Sequence, residues 1–222
     1  MSEFRFEEAK ATSLRHKITD NIRKAIFQGK IKAGDKLREL DISKQMGVSR
    51  APIREALRTL EQEGLLYSHP YKETTVAEIT EEEVTEVLVP IRLTIERFAI
   101  RKALPQLQDD HIQRLRGIIT DMRAGAAQGD LNKMVDCDLA FHEYLVTLSG
   151  APNLLSTWTS IYNRIRLHFM MQGQAYGDLN DICAEHDTLL DTIAEGDPAV
   201  ITAALQTHIA DNSFGCSPGK QG

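Results

Sequence analysis

The sequence predicts a mainly α-helical chain with two domains, a small basic one and a larger acidic one built of helices. Apolar residues recur at helical spacing along most of the 222 residues, and β-branched and aromatic residues cluster after Gly64. Residues 1–76 hold 15 Lys and Arg against 11 Asp and Glu, whereas residues 77–222 hold 11 against 21. We therefore expect domains at 1–78 and 79–214, followed by a disordered tail at 215–222.

Composition argues against a secreted, membrane-bound or disulfide-rich protein. The N-terminus lacks the apolar core of a signal peptide, and no stretch approaches the roughly 18 consecutive apolar residues of a membrane span. The three cysteines are odd in number, widely spaced and without a C-x-x-C pair, which argues against a disulfide framework or a zinc ribbon. We expect a cytoplasmic protein with no membrane partner, whose basic first third could meet a polyanion.

Two helices joined by a tight turn are predicted ahead of Gly64. A helix upstream of them ends at Gly29 and has apolar positions at Leu14, Ile18, Ile22, Ala25 and Ile26. The segment "KIKAGDKL" then reads as a turn. In "LRELDISKQMGVSR" a short helix ends at Gly47, and its predicted inward residues are Leu40, Ile42 and Met46. The next helix begins within a few residues, which predicts a helix-turn-helix whose second helix enters the major groove of DNA.

That second helix carries three arginines four residues apart. In "GVSRAPIREALRTLEQEG" the residues Arg50, Arg54 and Arg58 share one face, and Ser49 is placed to cap the helix. The opposite face is apolar, through Ile53, Ala56, Leu57 and Leu60. A solvated surface is the ordinary explanation of such a stripe, but its place in a helix-turn-helix favours DNA contact.

A two-stranded hairpin is predicted after Gly64. The segment "LLYSHPYKETTVAEI" has β-branched and aromatic residues on both sides of a break at His69 and Pro70. Added to the helix-turn-helix, this hairpin forms a wing. His69 and Lys72, near the turn of the hairpin, are candidates for DNA contact.

The acidic domain is predicted as an antiparallel bundle of about six helices. Thr80 is a plausible cap for the first helix, "EEEVTEVLVPIRLTIERFAIRKAL". Breaks follow near residues 105, 129–130, 150–152, 177–178 and 196–198, and no alternating pattern of a strand appears between them.

Four polar residues lie on apolar faces of this bundle. Asp138 and His142 are four residues apart in the third helix, so they are neighbours on one face. His186 and His208 are each 11 residues from Asp197, which opens the "GDP" turn between the last two helices. At about 1.5 Å per residue the two histidines lie level with each other across an antiparallel pair. One such histidine alone would be an ordinary core residue. Together the four predict a metal site suited to zinc, nickel, manganese or iron.

At this point the sequence resembles the GntR family of bacterial regulators. The family signature appears as "LRELDISKQMGVSRAPIREALRTLEQEGLL", from Leu37 to Leu66. The resemblance implies that Arg50 and Arg54 contact base edges or nearby phosphates. It also implies that Arg38 and Ser49 contact the DNA backbone and that the wing enters the minor groove.

The rest of the chain resembles the FadR-type branch of that family, whose all-helical ligand domain is called FCD. The metal-binding subgroup shows D-x-x-x-H followed by one histidine in each of the last two helices. Here "DLAFH" supplies Asp138 and His142, and His186 and His208 follow. The resemblance implies a metal ion held by these four residues, and Arg92 and Glu96 correspond to an Arg and a Glu of the first bundle helix.

Three arginines are candidates for holding the carboxylate of a small organic acid effector beside the metal: Arg92, Arg164 and Arg166. A buried ion pair with Glu96 is an equal alternative for Arg92. A solvated helix face is the alternative for the other two.

The function we predict is a DNA-binding transcription regulator and not an enzyme. It reads a palindromic operator as a homodimer and responds to a small carboxylate bound beside a metal ion. One alternative is a metal-dependent hydrolase, since "HEYLV" begins like the zincin motif, but position 146 is valine. Another alternative is a DNA-binding regulator with a purely structural metal and no effector.

Overall fold

A computed structural model of the chain describes residues 12–68, 73–172 and 178–211. The chain forms two compact units, Met1–Glu78 and Ile79–Gly222. His69, Lys72 and the predicted tail lie outside the described residues.

Three helices build the first unit: α1 (Thr12–Phe27), α2 (Glu39–Met46) and α3 (Arg50–Gln62). Helix α2 ends at Gly47, whose φ of 65° is a left-handed conformation that glycine adopts without strain. The core of the unit joins the apolar faces of α1 and α3 and includes Ile18, Ile22, Ile26, Ile53, Ala56 and Leu60. The predicted helix-turn-helix is thus α2 followed by α3.

Two apolar residues predicted to face inward do not. Leu14 is 45% exposed and Leu40 is 50% exposed, since each lies in the first turn of its helix, beyond the packed face. Ser49 holds the position that precedes α3 but its side chain makes no capping hydrogen bond. The predicted cap at Ser49 is therefore wrong.

A three-stranded antiparallel sheet completes the first unit, in the order β1-β3-β2. Strands β2 (Leu66–Ser68) and β3 (Thr74–Val76) form the predicted wing, with Leu66 opposite Val76. Strand β1 (Lys36–Leu37) pairs with β3 on its other side, with Leu37 opposite Thr74. Sequence reasoning placed β1 in a turn and missed this edge strand.

Every regular element that the structure describes in the second unit is helical, which confirms the predicted mainly α fold. It begins with α4 (Glu81–Glu83), a π-helical turn at Val84–Leu88, α5 (Val89–Ala103) and a 3-10 turn at Leu104–Gln106. It continues with α6 (Asp109–Gln128), α7 (Leu131–Leu148), α8 (Pro152–Gln172) and α9 (Leu179–Glu195). Helix α10 (Pro198–Gln206) runs into a second π-helical turn at Thr207–Asp211.

The boundaries of these helices follow from local chemistry. The Thr80 hydroxyl accepts a hydrogen bond from the Glu83 N–H at 3.1 Å, as predicted. Gly196 ends α9 with a φ of 84°, and the Asp197 carboxylate accepts from the Ala199 N–H at 2.8 Å at the start of α10. The resulting sharp turn sets α9 and α10 side by side.

The core of the second unit lies between α5, α6, α7, α9 and α10. Its buried residues include Leu115, Ile119, Phe141, Leu145, Leu190 and Ile201. A second apolar cluster around Trp158 packs α8 against α5 and α7. Within the described ranges, no helix has the length and apolar character needed to cross a membrane.

Candidate functional sites

The arginine face of α3 is exposed to solvent, while the opposite face of the same helix is buried. Arg50, Arg54 and Arg58 are all exposed. Ser49 is exposed at the N-terminal end of the helix, and Arg38 is exposed just ahead of α2. The first unit therefore presents a cationic surface, formed by the helix-turn-helix, to a partner.

One carboxylate holds two of these arginines. Glu39, in the first turn of α2, accepts from Arg54 Nε at 2.8 Å and from Arg50 Nη2 at 2.9 Å. The hydrogen bonds from Arg54 and Arg50 lower the pKa of Glu39 to about 2, so it is ionised at neutral pH. Both guanidinium groups are therefore held side by side on the exposed face of α3. Glu39 was not predicted for this role, because a carboxylate 11 residues away on another helix leaves no signal in sequence spacing.

A cluster of four polar side chains lies inside the second unit. Asp138 and His142 project from α7, His186 from α9 and His208 from the π-helical turn after α10. Each offers one ligand atom, and these atoms all lie within 4.8 Å of one another. The structure thus brings together the four residues that the sequence singled out.

Hydrogen bonds outside the cluster fix two of its imidazole rings. His142 Nδ1 lies 2.6 Å from Glu96 Oε2, so its N–H donates to that carboxylate and its Nε2 lone pair faces the cluster. His186 Nδ1 donates to the carbonyl oxygen of Ile182 at 2.8 Å, which leaves His186 Nε2 facing the cluster as well. Glu96 was recognised in the sequence as a partner of Arg92, to which it is bound at 2.8 Å, but not as a partner of His142.

Several buried polar atoms at the cluster lack hydrogen bonds among the described residues. They are Arg92 Nη2, Asp138 Oδ2, His186 Nε2 and His208 Nδ1. His186 Nε2 lies 3.1 Å from Asp138 Oδ1 without the geometry of a hydrogen bond, whereas His142 Nε2 and His208 Nε2 share a hydrogen bond of 3.1 Å. A buried polar atom without a partner costs about 1–3 kcal/mol. A cation held by the cluster would satisfy the acceptor atoms among them, such as His186 Nε2, whereas Arg92 Nη2 is a donor and needs an acceptor; the donor set of the cluster therefore fits a metal ion.

The electrostatics of the cluster favour the protonation states that a metal requires. Burial lowers the pKa of His142 and of His208, and the nearby charge of Arg92 acts in the same direction on both. Burial alone raises the pKa of Asp138, but the charge of Arg92, whose Nη2 lies 3.8 Å from Asp138 Oδ2, acts in the opposite direction and favours the ionised carboxyl group. Neutral imidazoles and an ionised carboxylate are the forms that bind a metal.

A cavity that is partly open to solvent borders the cluster. Asp138, His186 and His208 line it together with Arg92 and Glu185. The rest of its wall is apolar and comprises Leu131, Met134, Val135, Phe169, Ile182 and Ile209. The Arg92 guanidinium lies between aromatic rings, 5.9 Å from the centre of Trp158 and 5.7 Å from that of Phe169.

Arg164 and Arg166 do not line this cavity. Arg164 donates to Glu83 Oε1 at 2.9 Å, and Arg166 forms an ion pair with Asp136 on α7. Both arginines are buried rather than on a solvated face. The predicted effector contact is therefore corrected for these two residues, because their charges are engaged at other helices.

Known protein families match both units. Residues 14–76 match the bacterial regulatory proteins of the gntR family, and residues 87–211 match the FCD domain. The chain belongs to the GntR family. This GntR protein is a DNA-binding transcription regulator rather than an enzyme, and its FCD domain fits the FadR-type branch.

Individual relatives agree with this assignment. A probable repressor of the D-xylose utilization operon from Paenarthrobacter nicotinovorans is 30% identical over 199 residues, 90% of this GntR chain and 87% of the relative. Among the solved structures that share the fold are two whose alignments each cover 91% of this chain and 96% of the other. They are McbR/YncC of E. coli, with a TM-score of 0.74 at 20% identity, and a putative GntR regulator from Rhodococcus sp. RHA1, with 0.76 at 24%.

Proposed function

We propose that this GntR regulator binds a palindromic operator as a homodimer and responds to a small carboxylate held beside a divalent metal ion. The observation that carries the proposal is the cluster in the second unit, where His186 Nε2 and Asp138 Oδ1 lie 3.1 Å apart without a hydrogen bond between them.

The metal would be held by one oxygen and three nitrogen ligands, from Asp138, His142, His186 and His208. This donor set suits zinc, nickel, manganese or iron. Four protein ligands leave room for a further ligand on metals that accept five or six. The bound ion would supply a positive charge at the wall of the cavity, where an acidic ligand can reach it.

The effector is proposed to be a small acid with an apolar body. Arg92 Nη2 is buried at the cavity without a hydrogen bond, and its ion-pair partner Asp138 Oδ2 lies 3.8 Å away, so this N–H can donate to the carboxylate of a ligand. Six apolar side chains complete the wall, so a ligand rich in hydroxyl groups would leave its own polar atoms unsatisfied there. A carboxylate between Arg92 and the metal, with a hydrocarbon portion toward Phe169 and Ile182, satisfies both parts of the wall.

DNA contact is assigned to the cationic surface of the first unit. Arg50 and Arg54 are proposed to read base edges in the major groove, because an arginine fork matches the acceptors of guanine. Arg38, Ser49 and Arg58 are proposed to contact the backbone, and His69 and Lys72 to act from the wing. Two copies related by a two-fold axis would place their recognition helices about one DNA turn apart.

Elemental analysis of tag-free protein tests the metal. We expect about one ion per chain in the wild type and in the control His111→Ala, and a marked loss in His208→Ala together with a lower melting temperature. His111 is a fair control, because its ring serves the start of α6, where its Nδ1 accepts from the Gln108 N–H. Wild-type protein that holds no metal and does not respond to added zinc, nickel or manganese would rule out the site.

The effector and the dimer are tested on the metal-loaded protein. Operator binding is measured in the presence of short aliphatic acids and, separately, of sugar acids. We expect the aliphatic acids to change the affinity for the operator and the sugar acids to leave it unchanged. If the protein binds a metal but none of the acids changes its affinity for the operator, the ion has a structural role only. Sedimentation should give a dimer on DNA, and a single copy per palindrome would contradict the proposed symmetry.

A further inference from the structure

Glu73, the described residue next to the wing turn, binds two cations of the first unit. Its Oε1 accepts from Arg38 Nε at 2.6 Å, and its Oε2 lies 2.9 Å from Lys36 Nζ. Both cations remain accessible, since the Lys36 side chain is 63% exposed and that of Arg38 59%. One carboxylate therefore engages two cations of a DNA-binding domain and offsets one of their two positive charges.

The register of the small sheet builds this arrangement. Leu37 lies opposite Thr74 and Lys36 opposite Thr75 in the antiparallel pair of β1 and β3. Continuing the same register places Arg38 opposite Glu73. Lys36 precedes Arg38 by two residues and so shares its face of the strand. Strand pairing thus places the three side chains on one face of the sheet, within reach of one another.

A carboxylate in this position offers the cations what a DNA phosphate would offer. Hydrogen bonds from Lys36 and Arg38 lower the pKa of Glu73, so its charge is present at neutral pH. Arginine and lysine contacts to phosphate give affinity without sequence preference. DNA that uses these two cations must first remove them from Glu73.

We propose that Glu73 competes with DNA phosphates for Lys36 and Arg38 and thereby lowers the affinity of the protein for all DNA sequences by a similar factor. This rests on the proposed contact of Arg38 with the DNA backbone. Removing the carboxylate frees two exposed ion pairs, which corresponds to a gain of roughly three- to tenfold in DNA affinity. The dependence of log affinity on log salt concentration becomes steeper by about 1.

The test compares Glu73→Gln with the wild type on nonspecific DNA. Fluorescence anisotropy is measured with two labelled duplexes of about 30 base pairs, one of A·T pairs and one of G·C pairs, over a series of salt concentrations. Glu195→Gln is the matched control, because it removes one negative charge at an exposed position of the second unit. We expect tighter binding to both duplexes by the same factor and a steeper salt dependence in Glu73→Gln alone.

Arg38→Ala and the double variant Arg38→Ala/Glu73→Gln separate the possible failures. The gain should shrink in the Arg38→Ala background if the carboxylate acts through that cation. If Glu73→Gln binds DNA no more tightly than Glu195→Gln does, the proposed competition is wrong. If Glu73→Gln binds DNA more weakly than the wild type, Glu73 positions Arg38 instead. If Arg38→Ala binds DNA with the affinity of the wild type, Arg38 does not contact DNA. This conclusion holds whatever the effect of Glu73→Gln.

Discussion

Arg50 and Arg54 share the carboxylate of Glu39, and this shared contact holds both guanidinium groups on the outer face of α3. Replacing either arginine with alanine should weaken specific operator binding by about 1–3 kcal/mol, because each loses a charge-assisted contact in the major groove. Footprinting on an operator selected from random DNA measures the loss. Arg116→Ala, at an exposed ion pair of α6, should leave the footprint unchanged. Full protection by both α3 variants would contradict the assignment.

Glu96 determines which nitrogen of His142 faces the cluster, since its Oε2 accepts a hydrogen bond from the Nδ1–H, with 2.6 Å between nitrogen and oxygen. Glu96→Gln should lower metal affinity by about 10- to 100-fold, the range measured when such an orienting carboxylate is lost. Competition with a chromophoric chelator gives the affinity, and circular dichroism checks that the variant is folded.

Glu143→Gln supplies the matched control on the same helix. Glu143 neighbours His142 in sequence but lies outside the four-residue cluster. We expect its metal affinity to equal that of the wild type. Equal affinity of Glu96→Gln and Glu143→Gln would show that the Glu96 contact does not orient the ligand.

At the residue scale, sequence reasoning found the groups with a local or periodic signal. Asp138 and His142 are four residues apart, and His186 and His208 are equidistant from a strong turn. Glu39 and Glu73 gave no such signal, because their partners lie on other elements and the pairing depends on tertiary packing. Arg164 and Arg166 looked like parts of a solvated face, because their acidic partners are equally remote in sequence.

At the element scale, two glycines of α6 offer a matched pair. A Cβ added at Gly117 meets nothing within 4 Å, whereas one at Gly125 would lie 3.2 Å from Lys133 Cγ and 3.4 Å from the Met134 backbone nitrogen. Gly117→Ala should raise the free energy of unfolding by about 0.5–1 kcal/mol, the ordinary gain from alanine in a helix. Gly125→Ala should raise it by less than Gly117→Ala does, because α7 has to give by a few tenths of an ångström at this contact.

Urea unfolding followed by circular dichroism measures both glycine variants. If Gly117→Ala and Gly125→Ala stabilise the protein equally, α7 can shift to accommodate the added methyl group without an energetic cost. Since Met134 lines the cavity, metal content of Gly125→Ala also reports whether the shift reaches the cluster.

Several helices were predictable at this scale because a glycine marks their end, as at Gly47, Gly129 and Gly196. Strand β1 was missed, since two residues carry no alternation of apolar and polar positions. The segment "KIKAGDKL" contains a strand only because β3 pairs with it in the folded domain. The π-helical turns were missed as well, because a stretch of five residues hardly alters the apolar spacing of a helix.

At the scale of the whole molecule, the buried histidines make the stability of the metal-free protein depend on pH. The pKa values of His142 and His208 lie below the ordinary 6.5. Below pH 6.5 the unfolded chain binds protons at these positions that the folded chain does not bind. The free energy of unfolding is therefore highest above pH 6.5. It decreases as the pH falls below that value, by up to about 1.4 kcal/mol per pH unit for each histidine.

Trp158 is the single tryptophan of the chain and is fully buried in the second unit, so its fluorescence reports that unit alone. Urea unfolding in chelator at about pH 7.5, 6.5 and 5.5 should show decreasing stability. His208→Gln should reduce the slope, whereas His111→Gln should keep it. Stability that increases toward pH 5.5 would contradict the direction of both shifts.

The π-helical turn at Thr207–Asp211 carries the last histidine of the cluster, and this has an evolutionary consequence. Losing one codon between Pro198 and Thr207 would turn His208 by about 100° around the helix axis and shift it by about 1.5 Å. A lineage could lose the fourth ligand in this way while keeping all four residue types in its sequence. The number of residues in the helix ahead of the last histidine therefore distinguishes two kinds of relative. In one kind the four side chains converge on a complete site, and in the other the four residue types are present but do not converge.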